Sequence, residues 1–251
     1  MSGKVVKNSP FLKSLNSLRD LPDHVIVESF KVVDKFIQNS ESEPIHLFLK
    51  SSLEGRYSFQ GLFETISFIA DHEFEKLTGY RYNSGVVAIF RKPEFIAEEE
   101  VTFPMIILNG LTKVENVGAI VRSATAFGFN CLVIDDKTCS PFLRRAIRVS
   151  MGNIALLKVH RSADLVSFIN KCEYPIYATA NLSDSLNFNE WLPELKSGIV
   201  IGSEGHGIDE DVLKICSNTI RIPINKSVEH LNASAAAAII CSKYSLLDTS
   251  K

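Results

Sequence analysis

The chain has 251 residues, 45% of them hydrophobic and 22% charged, with a formal net charge of −2. That length suffices for a core in one large or two modest domains, and the near-neutral balance excludes a global electrostatic pull toward nucleic acid, so any RNA or DNA contact needs a local basic patch. Five scattered cysteines without a CxxC pair point to a reducing compartment and no structural zinc. The absence of a signal-peptide core and of any run of about 18 apolar residues predicts a cytoplasmic chain without a membrane span.

Residues 1–20 are polar and Ser-rich and read as a loosely held arm. After Asp23, HVIVESFKVVDKFI carries apolar residues at 26, 30, 33, 36 and 37, a pattern that admits strand entry or helix. Ile45–Leu49, Thr65–Ile69 and Val86–Phe90 read as strands, and His72–Leu77 as a short helix stopping near Gly79. Pro93 and the acidic run Glu98–Glu100 mark an exposed linker, which places a domain boundary near residue 97.

The second half, residues 98–251, alternates more regularly. Strands are predicted over Met105–Leu108, Cys131–Ile134, Ala155–Val159, Ile176–Ala180 and Ile199–Ile201. Helices are predicted over Asn116–Phe127, closed by Gly128, and over Ala163–Lys171 and Asp209–Ile215. A short strand near Ile220 precedes a polar loop, and a helix opens at Asn232, a good N-cap ahead of an Ala-rich run. This alternation predicts an α/β fold with a mostly parallel sheet, helices on both faces, and ligands at the carboxyl ends of the strands.

Four stretches carry chemistry. ENVGAIVRSATAFGF (115–129) buries Val117, Ile120, Val121 and Ala124 at helical spacing and sets Arg122 on roughly the opposite side. Asn116, at the predicted helix start, reads as well as a simple cap. SPFLRRAIRVSMG (140–152) gathers Arg144, Arg145 and Arg148 within about one turn, a patch that can hold phosphates or form a solvated basic face. GSEGHG (202–207) sets the carboxylate of Glu204 among glycines between a strand and a helix. Its order is not GxGxxG, so a dinucleotide site is not supported. IRIPINKSVEHLNASAAAAII (220–240) crowds Asn225, Lys226, Ser227, Glu229, His230 and Asn232 between two buried elements.

Taken together and in this order, NVGAIVRSATAFG, SPFLRRAIRVSMG, IVIGSEGHGI and IRIPINKSVEHLNASAAAA resemble the SpoU/TrmH family of RNA ribose methyltransferases, over residues from about 104 to 247. The weaker pattern VIVESFKVVDKFI … ISFIADHEFEKLTGYRYNSGVVAIF resembles the L30e-like RNA-binding domain often found ahead of it. The resemblance implies two domains, 1–97 (arm and L30e-like) and 98–251 (methyltransferase with a C-terminal trefoil knot). It implies S-adenosylmethionine as cofactor, RNA as substrate (rRNA before tRNA) and a homodimer. Asn116, Arg122, Glu204 and Asn232 fall on the family's catalytic positions. Gly202, Ile222 and Leu231 fall on its cofactor-holding positions, and Thr179 and Ala180 border that pocket.

The chain departs from the family pattern twice. His230 stands where Ser usually precedes the Leu-Asn pair, and Lys113, Val114 and Glu115 stand where an Asp-Pro pair usually precedes the Asn. These departures leave a second reading open: an RNA-binding or assembly factor on the same fold without turnover.

Overall fold

The structure, a computed structural model, describes residues 9–17, 19–56, 59, 61–79 and 84–246. Its first elements are β1 (His24–Glu28), α1 (Phe30–Asn39), β2 (Pro44–Lys50), β3 (Thr65–Ile69), α2 (Asp71–Thr78) and β4 (Val86–Arg91). They are followed by β5 (Met105–Asn109), α3 (Val114–Ala126), β6 (Cys131–Asp135), α4 (Arg144–Val149), β7 (Lys158–Ser162) and α5 (Leu165–Lys171). The chain then forms β8 (Ile176–Thr179), β9 (Leu186–Asn187), β10 (Gly198–Gly202), α6 (Glu210–Ile215), β11 (Asn218–Arg221) and α7 (Ala233–Ser242). Two compact units result: residues 1–93 with 142–155, and residues 94–141 with 156–251.

In the first unit a sheet of order β1-β4-β2-β3 pairs antiparallel except for the parallel β2–β3 pair. The ambiguous stretch after Asp23 is both a strand and a helix. Val25, Ile26 and Val27 are buried in β1, and α1 sinks Val32, Val33 and Phe36 at helical spacing. Gly79, at φ 74°, closes α2 in the left-handed region, where a Cβ would be strained. Residues 1–8 of the expected arm lie outside the described residues. Residues 9–17 are not loosely held: Leu15 is fully buried in the core with Ile26, Phe48 and Phe74.

Two corrections concern residues 142–155, which pack with the first unit rather than with 98–251. Arg144 is not a phosphate ligand. It is 4% exposed, its guanidinium donates to the carboxylate of Glu28 and to the carbonyl of Leu15, and Nη2 donates to the Thr78 carbonyl at 2.8 Å. A boundary at 97 alone also fails to describe this segment, because Gly152 and Asn153 bind it to α1. A Cβ on Gly152 would meet Val32 Cγ1 at 2.7 Å, and Lys35 donates to the Asn153 side chain. Held this way, residues 153–156 form a 3-10 turn rather than the expected strand. β7 begins at Lys158, whose amide donates to Asn130 beside β6.

His46 sits inside the first unit's sheet, against Ser67 Oγ at 2.8 Å and stacked on the Phe48 ring at 4.0 Å. Burial lowers its pKa from 6.5 to about 4. The unfolded chain therefore binds one more proton than the folded one between those values, and stability falls as pH drops through that window. Urea midpoints measured from pH 6.5 down to about 4 will decline in the unaltered chain, and His46→Asn will flatten that decline.

The second unit is a seven-stranded sheet of order β7-β6-β5-β10-β8-β11-β9, parallel at every pair. Both faces of β5 are covered. Met105 and Ile107 face α5 and α6 through Leu165, Phe168 and Val212, and the alternate residues Ile106 and Leu108 are equally buried. α3 packs on α7, and α7 on β10. The two-residue edge strand β9 carries too little periodicity to be read from sequence. Among the described residues no helix is long and apolar enough to cross a membrane.

Candidate active site

The second unit gathers its polar side chains where the loop after β10 meets the starts of α3 and α7. Asn232 is the N-cap of α7. Its Oδ1 accepts from the amides of Ser234 at 3.0 Å and Ala235 at 3.4 Å, and from Ser234 Oγ at 2.6 Å. Capping orients this side chain so that its NH2 faces inward. That NH2 donates to Asn116 Oδ1 at 3.1 Å and to Glu204 Oε1.

Asn116 is not a cap. α3 begins at Val114, so Asn116 lies within the first turn, 8% exposed. Its Nδ2 donates to Glu204 Oε1 at 3.2 Å. Two amides from opposite ends of the motif set thus converge on one carboxylate oxygen, and Lys113 Nζ donates to the other, Oε2. The Lys113 bond first, then that from Asn116, holds the Glu204 carboxyl below its ordinary pKa.

The loop presenting Glu204 is pinched by an antiparallel bridge. Ser203 N donates to Gly207 O at 2.9 Å, and Gly207 N to Ser203 O at 3.0 Å. Gly207 reaches this geometry at φ +70°. Asn109 secures the far end of the loop: it is 2% exposed, and its Oδ1 accepts from Asp209 N at 2.7 Å while its Nδ2 donates to Asp135 at 2.8 Å.

Beside the cluster lies a cavity of about 370 Å³, within the range of small-molecule sites. Its walls come from the ends of β8, β10 and β11, three neighbouring parallel strands. Gly202, Ile222 and Leu231 all line it, as do Thr179, Ala180 and Glu204. Thr179 Oγ1 donates its proton to Val200 O at 3.0 Å. His230 is exposed at the rim.

Of the predicted catalytic residues, the structure brings together Asn116, Glu204 and Asn232 but not Arg122. Arg122 lies six residues further along α3, about 9 Å up the helix axis, exposed and without an ion-pair partner among the described residues. Sequence reasoning missed Lys113 as the partner of Glu204. The only signal was its place where the family pattern has an acid. It also missed Asn109, whose polar side chain ends an otherwise apolar strand, and Ile208, an apolar residue after a glycine loop.

The SpoU rRNA methylase family model matches residues 104–242. An uncharacterized tRNA/rRNA methyltransferase from Mycobacterium bovis is 27% identical over 173 residues, 65% of this chain and 60% of the relative. One from Synechocystis is 32% identical over 147 residues, 57% of this chain and 38% of the relative. The chain thus spans less than two thirds of the length of these curated relatives. Among solved structures, an AdoMet-bound rRNA methyltransferase from Sinorhizobium meliloti aligns with a TM-score of 0.82 at 17% identity, covering 99% of this chain and 98% of that one. The SpoU methyltransferase AviRb from Streptomyces viridochromogenes, in complex with AdoMet, aligns with a TM-score of 0.81 at 17% identity, covering 97% and 99%. At those identities the likeness is one of fold, an α/β architecture with a mostly parallel sheet.

Proposed function

The chain belongs to the SpoU rRNA methylase family, and from that premise we propose that it uses S-adenosylmethionine to methylate a ribose 2′-hydroxyl in structured RNA, rRNA before tRNA. The observation that carries this reading is the cavity at the ends of β8, β10 and β11, opening beside the Asn116–Glu204–Asn232 cluster. Its residues fit the cofactor. Ile222, Leu231, Ile208 and Leu213 supply apolar walls, and Gly202 lets the chain pass against Gly207, where a Cβ would lie 2.3 Å from the Gly207 carbonyl carbon. When bound, the sulfonium brings an already activated methyl group.

The residues of this chain then have to place a ribose oxygen and ease the loss of its proton. Alignment of reacting groups supplies several kcal/mol of a barrier. Asn116 and Asn232 hold Glu204 as a fixed acceptor at the cavity edge. Arg122 cannot serve as a base, since a guanidinium does not give up its proton at working pH. In this reading it clamps the phosphate beside the hydroxyl and polarises that hydroxyl. The resemblance to the family implies a homodimer, and in this reading a second copy's α3 supplies that clamp. The same reading takes the C-terminal region as knotted, the protein as cytoplasmic, and residues 1–97 as an L30e-like RNA-binding domain, with exposed Arg145 and half-buried Arg148, rather than buried Arg144, facing phosphate.

Incubation with tritiated cofactor and total RNA tests the reading. Label is expected in dinucleotides resistant to alkaline hydrolysis, because a methylated 2′-oxygen blocks cleavage. Label confined to bases would refute ribose specificity. Cofactor binding without transfer would favour the non-enzymatic reading that Lys113 and His230 motivate. Arg122→Ala is expected to lose about a hundredfold in rate, on the scale of groups that act at the reacting oxygen, and His230→Ser to stay within about tenfold, below the roughly 10²–10⁴ that a general base there would contribute.

A further inference from the structure

The Glu204 cluster is layered by exposure. Asn116 is 8% exposed, the Glu204 side chain 17%, and the Lys113 side chain 67%. The ammonium therefore caps the carboxylate on its solvent side. Its backbone is fixed, because Lys113 O accepts the amides of Asn116 at 3.0 Å and Val117 at 3.3 Å as the first acceptor of α3. Only the side chain can swing.

Stability does not account for this lysine. Exposed ion pairs contribute little, and Glu204 already accepts from two amides without it. An ammonium has three N–H donors, and Glu204 Oε2 takes one. The others remain for a second anion.

We propose that Lys113 is a substrate-binding residue: one N–H stays on Glu204 while the others hold the phosphodiester on the 3′ side of the target ribose. This rests on the methyltransferase reading above, in which the carbon bearing the reactive hydroxyl adjoins the carbon bearing that phosphodiester. A cation held on Glu204 is thereby placed to fix the ribose through its neighbouring charge. Lys113 is thus the substrate-side contact of a cluster whose inner members face the cavity.

The test compares Lys113→Gln and Lys113→Arg with the unaltered chain, using total ribosomal RNA as substrate. Lys113→Gln should raise KM for RNA about tenfold while kcat holds within about threefold, as for loss of a charged hydrogen bond to substrate. It should also reduce the slope of log affinity against log salt by about one, the signature of a lost phosphate contact. Lys113→Arg should restore both, and calorimetric cofactor affinity should stay unchanged in all three. A fall in kcat with KM and salt slope unchanged would overturn the proposal, showing that Lys113 acts only on Glu204. If the unaltered chain transfers no methyl group, the functional reading fails separately. Filter retention of ribosomal RNA over about 50–200 mM salt then decides, and equal slopes for the unaltered chain and Lys113→Gln reject the phosphate contact.

Discussion

Arg144→Ala will destabilise the unit formed by residues 1–93 and 142–155 by about 3–5 kcal/mol, the cost of breaking a buried ion pair and stranding one charge. Arg144 and Glu28 are 4% and 9% exposed, and the guanidinium also satisfies the carbonyls of Leu15 and Thr78. Removing it strands the Glu28 carboxylate in the core and takes a charged donor away from the carbonyls of Leu15 and Thr78. Calorimetric unfolding of the full chain should show the loss, with the second unit's transition unmoved if the two units melt separately. Pairing Arg144→Met with Glu28→Leu should cost less than the two single changes added together, because no charge is then stranded. A loss below about 1 kcal/mol for Arg144→Ala would place the guanidinium in the class of solvated pairs and reopen its role as an RNA contact.

Gly202→Ala will abolish cofactor binding. The added Cβ would lie 2.3 Å from Gly207 C, 2.4 Å from Gly207 O and 2.6 Å from Ile208 N, all main-chain atoms with no rotamer to yield. The bridge between Ser203 and Gly207 must open, and Glu204 moves with it away from Asn116 and Asn232. Overpacking of this kind costs about 1–3 kcal/mol in stability, so the variant should still fold while calorimetry shows no heat with S-adenosylmethionine or its demethylated product. Gly205→Ala is the control on the same loop, since its Cβ meets nothing within 4 Å and its φ needs no glycine. Equal loss in both variants would mean that the loop needs flexibility rather than the close approach at Gly202.

What could be read from the sequence alone was local. Periodic burial in Val117, Ile120, Val121 and Ala124 announced α3, and the apolar runs starting at Met105, Cys131 and Ile199 announced parallel strands, because strand and helix each repeat over a few residues. Asn232 was legible as a cap for the same reason, its partners being the next amides along the chain. The candidate site was legible only as separate motifs joined by resemblance. That Asn116, Glu204 and Asn232 meet was settled by the tertiary structure, across separations of 88 and 116 residues. The same holds for two charges along the chain. Lys113 looked like a mere departure, and LRRAIR looked like a patch open to phosphate or to water, since a lone charge belongs at the surface unless something far away compensates it. Glu204 lies 91 residues from Lys113, and Glu28 lies 116 residues from Arg144. No periodicity encodes a partner at such distance; only folding brings the opposite charge close enough to decide whether an ammonium guards a site or a guanidinium enters a core.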